Sequence, residues 1–180
     1  MYDIDNLPLK SFKDILYDME SELLPIEEID VITENKPNEE LENEITRFQR
    51  FNHTPTLVIV ELDCALKFGM MGSTSILLNA MRRVSQKCLS AVRDVDTVSR
   101  FSNKELLILL PHTSLADGKA LAERLSTNIL AALSCFDDVH VSFGVAELKS
   151  EEGMMSWLER GRKALLQAKR METGTVIAED

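Results

Sequence analysis

The fold of this chain is decided by the stretch Thr97-Val98-Ser99-Arg100-Phe101-Ser102-Asn103-Lys104-Glu105-Leu106-Leu107-Ile108-Leu109-Leu110. It holds two runs of strand length, 97–101 and 106–110, on either side of a short polar segment. A few polar residues between two such runs have the length and chemistry of a tight turn. The stretch therefore predicts a hairpin of two adjacent antiparallel strands.

Periodic apolar residues predict strands and helices on both sides of this hairpin. Residues 55–62 form an apolar, β-branched run typical of a buried strand, and residues 75–93 have the three- and four-residue apolar steps of a helix. Further elements are predicted as a polar helix at 39–52, a helix capped by Thr113 or Ser114, a strand at 139–145, a helix at 157–169 and a strand at 175–177. This order predicts an α/β (α+β) fold with a ferredoxin-like β-α-β-β-α-β core, a central mostly antiparallel sheet with helices packed on it.

The length of 180 residues allows one sizeable domain and an appendage. Residues 1–38 are predicted to form the appendage, an acidic N-terminal helix and linker, and residues 39–180 the domain. The apolar side chains of the N-terminal helix recur at helical spacing, at Phe12, Ile15, Leu16, Met19 and Leu23. This apolar face could dock on the domain, on a second subunit or on a partner.

Negative charge is concentrated near the N-terminus, where the first 50 residues hold 14 of the 30 acidic residues and 5 of the 20 basic ones. A net charge of −10 argues against nucleic acid and against an anionic membrane surface, because both bind clustered Lys and Arg. No apolar run approaches the roughly 18 residues that a membrane span needs, and no signal peptide pattern is present. We expect a soluble, cytoplasmic protein.

The cysteines and histidines are few and scattered, at Cys64, Cys88, Cys135, His53, His112 and His140. The cysteines have apolar neighbours, so they are interpreted as small buried residues in a reducing compartment. No histidine lies near a cysteine in the sequence. Neither a disulfide framework nor a zinc site is predicted.

Five motifs, taken in order, resemble those of the GGDEF domains, which condense two GTP molecules into the bacterial second messenger cyclic diguanylate. They are Glu61-Leu62-Asp63 (family Asp-x-Asp), Arg93-Asp94-Val95-Asp96, Arg100-Phe101-Ser102-Asn103-Lys104-Glu105-Leu106 (family Arg-Tyr/Phe-Gly-Gly-Asp/Glu-Glu-Phe), Val141-Ser142-Phe143-Gly144-Val145-Ala146 (family Ser-Ile-Gly-Val-Ala) and Ala164 through Lys169 (family Ala-Leu-Tyr-x-Ala-Lys). The resemblance covers the chain from about Glu40 to its end. It implies a nucleotidyl cyclase-like palm and a role in signal transduction.

The resemblance also implies where catalysis would occur, and the residues there are altered. The family holds magnesium ions with a carboxylate at the strand end and with the first hairpin acid, and these positions are Glu61 and Lys104 here. An ammonium group repels the cation that phosphoryl transfer requires. The paired glycines that admit the nucleotide are Ser102 and Asn103. We therefore predict a degenerate GGDEF domain with no catalytic residue, no metal and no cofactor.

Three further features of the family's active site remain. Glu105 matches the second hairpin acid and Lys169 the phosphate-binding lysine, and Asp63 is also retained. We interpret them as inherited scaffold, with Lys169 on the exposed face of a C-terminal helix turn.

A second site is implied by Arg93 and Asp96, which occupy the place of the family's Arg-x-x-Asp inhibitory site, and by Arg124, which completes it. An arginine can bind O6 and N7 of guanine while a carboxylate accepts from the amino group, so these three residues are predicted to bind cyclic diguanylate. The structural alternative is that Arg93 ends a helix, Asp96 caps the next turn and Arg124 pairs with an acid on a helix surface.

Three functions are compatible with these residues. The leading hypothesis is a catalytically inactive regulatory module that binds cyclic diguanylate or a protein partner. The second is a weak diguanylate cyclase in which Glu61 and Glu105 hold one metal ion and Lys104 clamps phosphate. The third is a protein-interaction adaptor without nucleotide binding, which forms a homodimer or binds a partner through its N-terminal helix.

Overall fold

The computed structural model describes residues 37–51, 53–64, 73–136 and 139–179. The chain divides into two units, Met1–Val31 and Ile32–Asp180, and the described residues belong to the second. The predicted N-terminal helix with its apolar face lies outside the described residues, and the domain boundary at residue 38 stays a prediction. Within the described ranges, no helix combines the length and apolar character needed to cross a bilayer.

The described part of the chain alternates helices and strands around one sheet. Its elements are α1 (Pro37–Phe51), β1 (Thr56–Cys64), α2 (Ser73–Ala91), β2 (Thr97–Arg100), β3 (Glu105–Leu110), α3 (Leu115–Ala132), β4 (Val139–Glu147), α4 (Met154–Ala168) and β5 (Val176–Glu179). The strand order is β2-β3-β1-β4-β5. Only the pair formed by β4 and β5 is parallel among these neighbours. The predicted hairpin and the predicted β-α-β-β-α-β core are confirmed.

Helices cover both faces of the sheet, which explains the apolar run of β1. Val58, Val60 and Leu62 pack with residues of α2 and α3 on one face. Leu57 and Ile59 pack with residues of α1 and α4 on the other. Because alternate side chains of a strand point to opposite faces, burial on both sides requires apolar residues at every position. Glu61 continues the face of Leu57 and Ile59, and thus lies on the α4 side.

Two glycines allow α4 to lie close to β4. A Cβ atom on Gly144 would come 2.2 Å from the carbonyl oxygen of Gly161 and 2.5 Å from the backbone nitrogen of Leu165. Trp157 secures the start of the same helix, since its Nε1 donates a hydrogen bond to the Ala146 carbonyl oxygen at 2.9 Å. This close packing positions the C-terminal end of α4, and with it Lys169, beside the end of β1.

Several predicted boundaries differ from the structure by two or three residues. Helix α2 ends at Ala91, so Arg93 lies beyond the helix instead of ending it. Helix α4 begins at Met154, three residues before the predicted start, because Gly153 occupies its N-cap position. Periodicity locates the buried positions of a helix better than its ends.

The expectation that the cysteines are buried is confirmed for Cys88 and wrong for Cys135. Burial in α2 raises the pKa of the Cys88 thiol to about 12, so this side chain stays protonated. Cys135 is exposed in the turn that follows α3. Leu133 and Phe136 of the same turn are buried, so apolar neighbours in the sequence did not show which way the Cys135 side chain lies.

Candidate functional site

Side chains of the hairpin turn between β2 and β3 form hydrogen bonds with the backbone of the same turn. The hydroxyl oxygen of Ser102 accepts hydrogen bonds from the backbone N–H groups of Lys104, at 3.2 Å, and Glu105, at 3.1 Å. The Arg100 guanidinium donates to the Ser102 carbonyl oxygen at 3.2 Å and to the Asn103 side chain at 3.4 Å. Such a serine turn provides both backbone N–H groups with an acceptor inside the turn.

Two carboxylates face each other across the strands next to this turn. Glu61 of β1 pairs in register with Glu105, the first residue of β3. Like charges at directly opposed positions repel each other and destabilise a sheet unless cations lie nearby. The structure supplies those cations from α4 and from the residue that follows it.

Lysines from two distant parts of the chain pair with the acids at the end of β1. The Lys169 ammonium group contacts Glu61 Oε1 and lies 3.7 Å from Asp63 Oδ2. The Lys104 Nζ atom lies 3.5 Å from Asp63 Oδ1. Partial burial lowers the pKa of Lys169, but the hydrogen bond to Glu61 and the charges of both acids outweigh it, so the pKa is raised overall. The residue expected to be exposed scaffold is thus held by an ionic contact.

Sequence reasoning missed Arg162, which belongs to the same group. Its Nη2 atom lies 3.9 Å from Glu105 Oε2, and its guanidinium lies 5.0 Å from the ring centroid of Phe101. Arg162 of α4 and Lys169, the residue that follows the helix, are seven residues apart, and two helical turns place them on one face. That spacing is the signal that could have found it. We call Glu61, Asp63, Lys104, Glu105, Arg162 and Lys169 the hairpin site.

The hairpin site does not fit a magnesium ion. Mg²⁺ requires oxygen ligands at about 2.0–2.1 Å in a near-octahedral arrangement. The carboxylates of Glu61 and Asp63 instead face ammonium groups, which would have to be displaced. Among the residues that the structure describes, no group of three or more His, Cys, Asp or Glu side chains is arranged to hold a metal ion.

The three residues predicted to bind cyclic diguanylate lie together at a second place. Arg93, Asp96 and Arg124 border one cleft with a cavity volume of about 310 Å³, which we call the arginine cleft. His112 and Asp117 line it as well. A volume near 300 Å³ is at the lower end of the range for small-molecule sites.

Arg93 is fixed by a charged hydrogen-bond network. Its Nη2 donates to Asp96 Oδ1 at 2.8 Å, and its Nε donates to Asp96 Oδ2 at 3.1 Å. Nη2 also donates to the hydroxyl of Thr113 at 2.8 Å. The side chain of Asp96 is 2% exposed and that of Arg93 56%. The hydrogen bond to Asp96 raises the pKa of Arg93 against a smaller opposing effect of burial, so the guanidinium stays charged.

Arg124 reaches the cleft from α3. Its Nη2 donates to the carbonyl oxygen of Ala91, the last residue of α2, at 3.2 Å. The alternative expectation was an ion pair with an acid on the helix surface, and among the described residues no such pair with Arg124 is present. A cation at the C-terminal end of a helix satisfies carbonyl groups that lack intrahelical partners.

Two of the histidines described as scattered are in contact. The rings of His53 and His112 have centroids 4.2 Å apart and are tilted by 38°. His53 Nε2 lies 2.6 Å from Glu44 Oε1, and both side chains are buried. These residues come from α1, from the segment before β1 and from the turn after β3, so no local pattern could have joined them.

Comparison with known proteins relates more than half of the chain to one family. Residues 76–175 match the family model described as "Diguanylate cyclase, GGDEF domain". Diguanylate cyclase DgcP of Pseudomonas aeruginosa is 28% identical over 141 residues, which make up 74% of this chain and 20% of that protein. The chain thus spans about a fifth of the length of this curated relative.

Solved structures show the same fold. The coiled coil and GGDEF domain of DgcB from Caulobacter crescentus, solved in complex with c-di-GMP, has a TM-score of 0.70 at 18% identity, over 93% of this chain and 99% of that chain. Diguanylate cyclase SiaD of Pseudomonas aeruginosa, solved with its activator SiaC, has a TM-score of 0.67 at 20% identity, over 93% of this chain and 67% of that chain. At these identities the likeness shows the fold alone.

Proposed function

The chain belongs to the GGDEF family of diguanylate cyclase domains, and on that premise we propose that it is a catalytically inactive regulatory module that binds cyclic diguanylate. The hairpin site accounts for the missing activity in this proposal. The arginine cleft accounts for the binding, through Arg93, Asp96 and Arg124.

The observation that carries the proposal is the pairing of Lys104 and Lys169 with the acids of β1. In-line transfer of a nucleotidyl group needs divalent cations to neutralise the triphosphate and to activate the attacking hydroxyl. A cation placed at Glu61 and Asp63 would lie beside two ammonium groups, and Coulomb repulsion at such short range is large. The Ser102 hydroxyl also uses backbone N–H groups near the place of the family's glycines.

The pairing also weighs against the alternative of a weak cyclase. That alternative needs Glu61 and Glu105 to share one metal ion. Each acid already has a protein cation, Lys169 for Glu61 and Arg162 for Glu105. Binding a metal ion would require both of these ion pairs to separate.

The arginine cleft supports the binding half of the proposal. The hydrogen bonds of Arg93 to Asp96 and Thr113 use its Nε and Nη2 atoms, so the guanidinium is oriented before a ligand arrives. Such preorganisation reduces the entropy lost on binding. Asp96 is nearly buried and acts in this proposal by holding Arg93, whereas the exposed Asp117 can accept from the amino edge of a guanine. Two arginines also offset the phosphate charges.

The N-terminal segment, residues 1–38, is assigned a transmitting or assembling role in this proposal. It would bind a protein partner or form a homodimer through its apolar face. The structure of SiaD was solved together with a protein activator. Because this chain has the same fold, a search for a protein that binds it is justified.

A titration with cyclic diguanylate and GTP, side by side, tests the proposed function. We expect calorimetry with the purified chain to show heat of binding for cyclic diguanylate at micromolar concentrations. Arg93→Ala should abolish that heat. Arg50→Ala removes an exposed arginine of α1 that does not line the cleft, and should leave it unchanged. Absence of heat with the unchanged chain, or equal binding by Arg93→Ala, would refute the proposal.

A further inference from the structure

The wall of the arginine cleft contains an imidazole that the proposed function does not use. His112 lies in the turn after β3 and lines the cleft together with Arg93 and Arg124. Its backbone φ is 52°, in the left-handed region that few residues other than glycine adopt. The turn thus holds His112 in an uncommon backbone conformation, and its side chain is exposed.

The ring of His112 is supported from within the protein. It packs at a tilt against the ring of His53, whose side chain is 6% exposed. Glu44, whose side chain is 1% exposed, holds His53 in turn. His53 Nε2 and Glu44 Oε1 share a buried hydrogen bond at 2.6 Å. His53 Nδ1 is buried and has no hydrogen-bond partner among the described residues. Glu44 belongs to α1, so the rings of His53 and His112 connect this helix to the wall of the cleft.

The backbone next to His112 is attached to the same region. The N–H group of Thr113 donates to the carbonyl oxygen of Thr54 at 2.6 Å. The hydroxyl of Thr56 donates to the carbonyl oxygen of Thr113 at 2.7 Å. Thr113 in turn accepts from Arg93 through its side chain. Thr113 thus holds Arg93, and the residue before it, His112, contacts His53. Both residues of this turn are in contact with the segment between α1 and β1.

We propose that His112 is a ligand-contacting residue of the arginine cleft, which stacks on a purine base of the bound nucleotide, and that His53 and Glu44 position its ring and so couple the cleft to α1. This inference rests on the proposed function and adds a residue and a route of coupling to it. Aromatic side chains stack on any base through their π-face, which complements the edge contacts of the arginines. A ligand that stacks on His112 restricts the ring, and through His53 it restricts α1.

A pair of matched histidine variants tests the binding role. His112→Asn removes the ring, while asparagine still tolerates the left-handed backbone conformation. We expect it to weaken cyclic diguanylate binding roughly tenfold, the effect of losing about one base stack. His140→Asn makes the same change at an exposed histidine of β4, outside the cleft lining, and should bind like the unchanged chain. Thermal unfolding of each variant checks that it is folded.

Hydrogen exchange tests the coupling. We expect cyclic diguanylate to slow backbone exchange in α1 of the unchanged chain, and to have no such effect on α1 in His112→Asn. Strand β5, at one edge of the sheet and outside the lining of the cleft, serves as the internal control. Glu44→Gln keeps a hydrogen bond to His53 and should preserve the protection of α1, whereas Glu44→Leu should remove it.

The outcomes separate this inference from the proposed function. If the unchanged chain binds, Arg93→Ala does not and His112→Asn binds normally, the inference is overturned and the proposed function stands. If binding weakens in His112→Asn but α1 exchange never responds to the ligand, the coupling is wrong and the stacking is kept. If the unchanged chain shows no binding, both the proposed function and the inference fail.

Discussion

Charged side chains gather at two places in this domain and are used in opposite ways. At the hairpin site, acids of β1 and β3 pair with cations from the turn and from α4, so charges from distant parts of the chain neutralise one another. At the arginine cleft, Arg93 pairs with the buried Asp96 only three residues away, and the pair borders an open cavity of about 310 Å³.

The two arrangements differ in whether a ligand can bind without breaking contacts that are already present. Pairing between distant elements ties the hairpin to α4, and a ligand must break those contacts before it can bind. Local pairing fixes the direction of one guanidinium while the cavity beside it stays open. In the proposed function, the hairpin site therefore acts as a structural clamp and the arginine cleft as the place where a ligand binds.

The largest effect is expected when the local pair of the cleft is broken. Asp96→Ala removes the acceptor for the Arg93 guanidinium and for its backbone N–H. We expect a loss of about 2 kcal/mol in the free energy of unfolding, measured with urea, because several charge-assisted hydrogen bonds disappear. Cyclic diguanylate binding should be lost with it.

The neighbouring Asp94 offers a control for this experiment. It is exposed in the same turn, and Asp94→Ala should change the free energy of unfolding by less than about 0.5 kcal/mol. Equal effects of the two substitutions would show that Asp96 does not hold the cleft together.

A smaller effect is expected when a lysine of the hairpin site is replaced so that the site can bind a metal ion. Lys104→Asp replaces an ammonium group beside Asp63 with a carboxylate, so we expect Mg²⁺ to stabilise this variant and not the unchanged chain. At about 10 mM Mg²⁺, a site of about 1 mM affinity would add about 1.4 kcal/mol to the free energy of unfolding. Lys87→Asp makes the same charge change on the exposed surface of α2 and should not respond. Stabilisation of the unchanged chain by Mg²⁺ would show that the ion pairs of the hairpin site do not exclude a metal ion.

The smallest effect is expected from alkaline pH. The pKa of Lys169 is raised above its ordinary value of 10.5, so its contribution to stability is complete below that pH and is lost as the pH rises through the higher folded value. Between about pH 7 and pH 9, Lys169→Met should lower the free energy of unfolding by a constant amount of about 1 kcal/mol, modest because the pair is partly exposed.

Above about pH 10.5 the two curves should converge as Lys169 deprotonates. The pKa of Arg93 is also raised, so its guanidinium stays charged over the same range. The Lys169 ion pair of the hairpin site should therefore be lost at a lower pH than the Arg93–Asp96 pair of the cleft. A stability difference that persists unchanged at high pH would show that the Lys169 contact is not ionic.

The fold was predictable from the sequence because its signals are local. The two strands around Ser102 and the apolar run of β1 appear as predicted, since strand and helix periods are set by residues close in the chain. Helix ends were less accurate, as the position of Arg93 beyond α2 illustrates. Capping and turn geometry decide those ends, and they leave a weaker pattern.

The sites were predictable only as sets of residues. The motifs indicated that Arg93, Asp96 and Arg124 belong together, and they border one cleft. The partners were not foreseen: Lys169 lies 108 residues from Glu61, and His112 lies well beyond His53 in the chain. Such contacts depend on how the elements pack, through the close approach of α4 to β4 and through the turn after β3.

Incubation of the purified chain with GTP and either Mg²⁺ or Mn²⁺, followed by chromatography, tests the central claim most directly. We predict that no cyclic diguanylate forms, because Lys104 and Lys169 occupy the carboxylates that the metal ions would need. Sustained, metal-dependent formation of product that Glu61→Ala abolishes would contradict the account.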